Sequence, residues 1–535
     1  MPTIALDKKD LAKLVGKNIS DEQLKERIPM LGTQLEAFEG NEITVEVFPN
    51  RPDMLTEEGF ARALSSFLGI KTGLRNYKVN PSSYRFTIDS KVKKVRPAVA
   101  TAVIKDIKID NAIIKSIMDM QDKLTLTHGR NRKKVAIGIH NLDKIAFPLI
   151  YTTKPRNFSF TPLDTKKPYT LDQILELHPK GREFGHLLQE FQEFPIWVDK
   201  KGQVLSMPPI INSEETKITS STTNFFIDIT GTDQLAVNQA LNIIVINLAD
   251  RGGKIYKVNN FPDLNPRKIN INLQAVNKLL GITLTAKEVK TLLERMGMAM
   301  QGSTVLYPPY RADILHPVDI MEDIAVAYGY NKFIPEIPRV ATIAEEDSFE
   351  KFRTKIAEIL IGLDITEVST YHLTNKETQT SSMNSNSECI DIINPKSEEY
   401  NVLRNQLIPS LLEVLKNNKH NEYPQKIGEI AVVFKTEKGK YQEETHLAVA
   451  MADTSASFTQ IKQLSDAIFS SLGISCSTKE ADHPSFIPGR VARLVINGKE
   501  LGYLGELHPK ILKNFQLEMP VIALEINLQE LNTNN

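Results

Sequence analysis

With 535 residues, 24% of them charged and 41% apolar, the chain has the composition of a folded protein and room for about three to five hydrophobic cores, which excludes a disordered tract or one small domain. Its 65 basic and 65 acidic side chains cancel, so no net positive field draws a polyanion, and any nucleic-acid contact must use local patches. Two cysteines, Cys389 and Cys476, exclude a disulfide framework or a cysteine zinc cluster, and the longest apolar run, 241–249, is too short for a membrane span; the expected location is cytoplasmic.

In chain order, Ser20 with Gln23 three residues on, then Leu24 and Ile28, predicts a short helix. Alternating Ile43, Val45 and Val47 predict a strand ended by Pro49 and Pro52, and 57–70 reads as a helix closed at Gly69. The polar stretch from 71 to about 90, with Pro81, Ser82 and Ser83, is the first predicted boundary, giving an N-terminal α+β module over 1–80. Strands at 135–140, 194–198 and 225–230 among helical stretches predict a second α+β domain over 90–258. Pro262 and Pro266 mark a linker into a smaller module, 267–342, where Thr285 and Glu288 form a capping box ahead of the Val289, Leu292, Leu293 and Met296 face, ended by Gly297. Past Glu345, Glu346 and Asp347, a helix from Phe349 to Gly362 opens the last domain, 346–535. Its strands at 427–434 and 446–452 and helix at 457–472 suit a mostly antiparallel α+β sheet.

Three constellations carry chemistry. Pro317 suits a first helical turn, which puts Asp319, Glu322 and Asp323 at i, i+3 and i+4; with Asp313 they offer four hard oxygen ligands to Mg²⁺, although acids in a first turn also simply complement the helix dipole. Arg130, Arg132, Lys133 and Lys134, beside His128, crowd a loop before a strand and are candidate RNA phosphate contacts or an ordinary solvated loop; His140, after that strand, reads as a packed or surface histidine. Ser206, Asn212, Ser213, Thr216, Asp228 and Thr230 supply small polar groups suited to recognising a hydroxyl, or to forming turns. No phosphate-binding GxxxxGK[ST] loop, HExxH motif or dinucleotide fingerprint is present, so nothing here resembles a self-sufficient ATP site.

Five blocks in order, 47–64 (VFPNRPDMLTEEGFARAL), 134–145 (KVAIGIHNLDKI), 206–219 (SMPPIINSEETKIT), 311–330 (RADILHPVDIMEDIAVAYGY) and 393–418 (INPKSEEYNVLRNQLIPSLLEVLKNN), resemble the β subunit of phenylalanyl-tRNA synthetase, in its shorter archaeal and eukaryotic form. The resemblance implies an N-terminal module, a tRNA editing domain, a small helix-rich module of DNA-binding-like fold that binds magnesium, and a C-terminal domain like a class II synthetase core without catalytic residues, used in subunit assembly. It implies a tetramer of two α and two β subunits acting on tRNA(Phe), with ATP and the ligation site on α and no membrane partner. Mg²⁺ is expected on this chain at Asp313, Asp319, Glu322 and Asp323. The editing pocket, which would hydrolyse mischarged Tyr-tRNA(Phe), is expected from Ser206, Asn212, Asp228 and Thr230, with Ser213 and Thr216 behind them; Asp228 either accepts the phenol hydrogen bond or orients water. Arg404, Arg490 and Arg493 are read as structural or interface residues rather than an ATP-binding set.

Two other functions compete: a structural, tRNA-binding subunit with no working editing site, and an independent carboxylate–metal hydrolase of nucleic acid. Assay of the purified chain separates them: deacylation of Tyr-tRNA supports proofreading, inactivity with α-dependent complex formation supports the scaffold, and metal-dependent RNA cleavage supports the third.

Overall fold

Ile4, Leu6, Ile43 and Val45 are buried on one side of three short antiparallel strands, Thr3–Asp7, Glu42–Glu46 and Gln34–Glu39, with Glu42–Glu46 central. These belong to a computed structural model that describes residues 2–107 and 111–532; residues 1, 108–110 and 533–535 of the expected N-terminal, editing and C-terminal domains lie outside the described residues. The chain forms two compact units, Met1–Ile337 and Pro338–Asn535. In the first, helix Asp21–Met30 starts where predicted, with Ser20 Oγ accepting the Gln23 amide at 3.3 Å. Helix Glu57–Phe67 is capped by Thr56, and its Gly59 is obligatory: a Cβ there would lie 1.7 Å from the Asp53 carbonyl oxygen.

Two five-stranded sheets follow. One runs, in spatial order, Val79–Asn80, Lys254–Lys257, Ala98–Lys105, Phe225–Gly231, Val135–Asn141; the other runs Ile211–Asn212, Val204–Met207, Glu193–Val198, Leu149–Pro155, Phe86–Ile88. The predicted boundary at 71–90 therefore contains an edge strand of each sheet, both paired parallel to their neighbours. Elements of two or three residues hold no alternation to read, which is why composition alone suggested a boundary. Between the sheets Trp197 stacks on Tyr151 with centroids 4.7 Å apart and meets Phe86 and Phe226 edge-on. On the opposite face of the first sheet, Ile104, Ile137, Ile139, Ile227 and Ile229 share a core with helix Gln234–Asp250, which contains the apolar 241–249 run. No helix is long and apolar enough to cross a membrane among the described residues.

The third part of this unit packs helices Leu273–Leu280, Ala286–Arg295 and Pro317–Tyr328 with three short strands around Val276, Val289, Leu293, Ile320 and Ile324. The Thr285–Glu288 capping box forms in both directions. Arginines tie the parts together: the buried Arg62 donates to Asp250 (2.5 Å) and Asn247 (2.8 Å), and the half-buried Arg251 and Arg295 meet Asp10, Glu57 and Glu58 and the carbonyls of Phe67 and Ala327 respectively.

The second unit is built on a seven-stranded sheet, in which all neighbours pair antiparallel except the short Thr366–Glu367 strand. Helix Ile408–Asn418 packs on one face; helices Ser348–Gly362 and Phe458–Leu472 pack on the other. Arg404 is fully buried and donates to Glu429 (3.0 Å), Thr370 Oγ1 and the Val432 carbonyl; Arg490 pairs with Glu506, and Arg493 pairs with Glu500 while lying over Tyr503.

Overpacking the Gly59 contact is expected to be felt directly. The Gly59→Ala protein should lose about 1–3 kcal/mol of stability, seen as an earlier urea transition by circular dichroism; an unmoved transition would contradict this packing.

Candidate functional site

Strand alternation sends Phe225, Ile227 and Ile229 to the helices and Phe226, Asp228 and Thr230 to the opposite face of the sheet. The neighbouring strand does the same with Ala136, Gly138 and His140, in register opposite Thr230, Asp228 and Phe226. A cavity of about 200 Å³ opens over that face, lined by Ala136, Gly138, Ser206, Pro208 to Asn212, Asp228 and Thr230, with Arg132, Asp164, His178 and Lys180 nearer its rim. Burial grades along it: Gly138, Ser206, Asp228 and Thr230 are buried, Asn212, His178 and Lys180 are half-buried, and Asp164 is exposed.

Asp228 Oδ2 lies 2.8 Å from His140 Nε2, and His140 Nδ1 lies 2.9 Å from Thr216 Oγ1. Gly138 leaves the space for this carboxylate, since a Cβ there would sit 2.2 Å from Asp228 Oδ2. Ser206 Oγ is buried on the cavity wall and has no hydrogen-bond partner among the described residues, which leaves it able to bond a group in the cavity. Asn212 shows no side-chain hydrogen bond among the described residues. Behind the floor, Arg96 donates to the Thr230 carbonyl (2.8 Å) and to Thr230 Oγ1; burial lowers its pKa to about 10, partly opposed by Tyr151 and Asp228.

Of the six predicted pocket residues, Ser206, Asn212, Asp228 and Thr230 line the cavity. Ser213 instead caps a short turn, accepting from the Glu215 amide and donating to the Thr161 carbonyl, and Thr216 reaches the site only through His140. His140, read from the sequence as a packed or surface histidine, is packed, and it is also the partner of the cavity carboxylate. The alternation of 135–140 held the signal, because it puts His140 on the same face as Gly138.

The basic loop divides. Arg130 and Lys133 are exposed. Lys134 pairs with Asp233 at 3.0 Å. Arg132 turns inward over the Phe184 ring and donates to the carbonyls of Pro209 and Ile210; burial lowers its pKa against the pull of Asp122 and Glu183. It belongs to the rim of the cavity rather than to an open loop.

The four carboxylates expected to hold Mg²⁺ do not converge. The buried Arg311 makes both branches of a bidentate pair with Asp313 (2.8 and 2.6 Å) and a third bond to Asp323 (2.7 Å). Asp319 accepts from the Leu315 and His316 amides as the N3 member of a capping box, and Glu322 is exposed. Among the described residues no group of three or more His, Cys, Asp or Glu side chains is placed to hold a metal ion. In this arrangement the arginine two residues before Asp313 supplies positive charge to Asp313 and Asp323, and the four carboxylates expected at the magnesium site are not gathered around one point. Burial works to raise the pKa of Asp313, but Arg311 holds it down to about 2; Asp323, deeper and with a single bond to the arginine, is raised by burial.

The chain matches the phenylalanyl tRNA synthetase beta chain CLM domain over 334–528, the tRNA synthetase B5 domain over 269–330 and the B3/4 domain over 82–247. It is 40% identical to the phenylalanine–tRNA ligase beta subunit of Archaeoglobus fulgidus, over 99% of this chain and 98% of that protein. It is 39% identical to the beta subunit from Pyrococcus horikoshii, over 99% and 100%. A crystal structure of an N-terminal fragment of the Pyrococcus horikoshii phenylalanyl-tRNA synthetase beta subunit superposes with a TM-score of 0.58 at 38% identity, covering 61% of this chain and 99% of the fragment.

Removing the cation from the carboxylate pair should leave two acids uncompensated. Arg311→Met is expected to cost about 3–5 kcal/mol at neutral pH, measured by urea denaturation. In the wild-type protein the contribution of Asp313, whose folded pKa is depressed, should be present above its ordinary value of 3.8 and be lost as pH falls towards about 2.

Proposed function

Because the chain belongs to the family of phenylalanine–tRNA ligase β subunits, we propose that it supports ATP-dependent attachment of phenylalanine to tRNA(Phe) on a companion α subunit and removes tyrosine from mischarged tRNA in the cavity above Asp228. The need follows from binding energetics: a pocket shaped for phenylalanine rejects an isostere carrying one extra hydroxyl only imperfectly, so a second site that recognises that hydroxyl is required.

The observation that carries this reading is a buried carboxylate at the floor of a cavity whose rim is polar and open. A tRNA cannot enter 200 Å³. The aminoacyl side chain goes in first, so the phenol reaches the deepest group, Asp228, while the scissile ester stays with the ribose near Asn212, His178 and Lys180. Tyrosine donates its O–H to the Asp228 carboxylate; phenylalanine would desolvate that carboxylate and give nothing back, at a cost of roughly 1–3 kcal/mol or more. Hydrolysis then needs only water at the ester carbonyl, held by polar groups of the rim. Arg132, folded against Phe184 beside Lys180, puts positive charge where the acceptor end would lie, and the exposed Arg130 and Lys133 extend it.

The C-terminal domain is proposed to work in assembly, as a class II synthetase-like core that pairs with α. Support comes from its charged groups: Arg404, Arg490, Arg493 and His446 each already meet a carboxylate of the same domain. Such groups leave little to grip a nucleotide, so ATP is assigned to α.

Asp228→Ala or Asn212→Ala protein, assembled with α, should accumulate Tyr-tRNA(Phe) and hydrolyse it at least about 100-fold more slowly while still forming Phe-tRNA. Wild-type hydrolysis by both variants would count against the site.

A further inference from the structure

Resting on the editing reading above, we infer that His140 is a positioning residue for tyrosine specificity: it holds the Asp228 carboxylate in the orientation that presents an acceptor to the phenol. His140 is completely buried and lines no part of the cavity, so it cannot touch a substrate. Its two ring nitrogens are both engaged, Nε2 with Asp228 Oδ2 at 2.8 Å and Nδ1 with Thr216 Oγ1 at 2.9 Å. Thr216 Oγ1, which also reaches the Leu205 carbonyl at 3.5 Å, holds Nδ1 in place. The carboxylate decides the donor: an ionised carboxylate only accepts, so Nε2 carries a proton and donates it to Asp228 Oδ2.

That bond uses Oδ2 and leaves Oδ1 without a hydrogen bond among the described residues. Oδ2 is wedged beside the Cα of Gly138, where any side chain would collide with both the carboxylate and Nε2 (2.2 and 2.8 Å). The imidazole is in turn held by packing, with the Phe226 ring 6.2 Å away on the adjacent strand. A carboxylate on a free rotor would have to be ordered by each substrate; one pinned by a buried imidazole presents its second oxygen at no such cost. The whole chain of contacts, Thr216 to His140 to Asp228, thus ends at the one atom that distinguishes tyrosine from phenylalanine.

The test uses the assembled enzyme and compares hydrolysis of Tyr-tRNA(Phe) with that of Phe-tRNA(Phe), reporting kcat/KM for each. His140→Ala should lower the value for Tyr-tRNA by about tenfold or more, as expected for loss of a hydrogen bond to a charged group, and change that for Phe-tRNA less than about twofold. His140→Gln, whose amide N–H can stand where Nε2–H stands, should recover most of the loss. Thr216→Val, a milder change should the alanine variant not fold, should give a loss of about threefold in the same selective direction. Equal losses on both substrates, or no rescue by glutamine, would reduce His140 to a structural residue and overturn the inference while leaving the editing reading standing. Absence of Tyr-tRNA hydrolysis in the wild-type enzyme would overturn both.

Discussion

The two-residue period of the Phe225–Gly231 strand governs this protein's first unit. The strand lies between Ala98–Lys105 and Val135–Asn141, hydrogen-bonded on both sides, so its register cannot slip without breaking two ladders. One set of its side chains closes the core against helix Gln234–Asp250, and the other supplies Phe226 to the aromatic cluster and Asp228 and Thr230 to the cavity. A shift of one residue would put isoleucines in the cavity and an aspartate in the core. Stability and chemistry are written on opposite sides of one strand, and neither can drift independently.

Charge inside the molecule is handled by arginine. Arg62, Arg311 and Arg404 are buried, and each meets acidic or amide partners in short hydrogen bonds. The planar guanidinium suits this work because it divides its five donors among several acceptors, as Arg311 does with Asp313 and Asp323. Burial and Arg311 pull Asp313 in opposite directions, and its lowered pKa shows that the arginine wins there, while at Asp323 burial wins. In three dimensions Asp313 and Asp323 meet through Arg311, and Arg51 stands 4.0 Å from Asp313.

Much of this architecture is legible in the amino-acid sequence. The capping signals at Ser20 and Thr285, the proline start at Pro317 and the alternating apolar strands all stand where the spacing put them, because each is a local rule obeyed by adjacent residues. The family-level reading was legible from ordered motifs. What escaped were relations between distant residues. The edge strands at 79–80 and 86–88 owe their form to partners about 175 and 60 residues away, not to their own composition. Ser213 and Thr216 rank behind Ser206 in the sequence but group with it, and of the three only Ser206 lines the cavity. His140 is recognisable only once Thr216 and Asp228 are folded onto either side of it, and the carboxylates around 320 looked free because nothing in a helical wheel shows Arg311 reaching them.

The ties that Arg62 and Arg251 make have an evolutionary corollary. Asp250 and Arg251 end helix Gln234–Asp250, yet their partners Asp10, Glu57, Glu58, Arg62, Arg75 and Tyr77 all lie within the first 77 residues. A recombination event that swapped the segment carrying this helix alone would strand three carboxylates and two guanidinium groups at a freshly cut, largely dehydrated seam. Exchange of these two segments between relatives is therefore favoured as a linked block, and the sites on either side of that seam are constrained to change together.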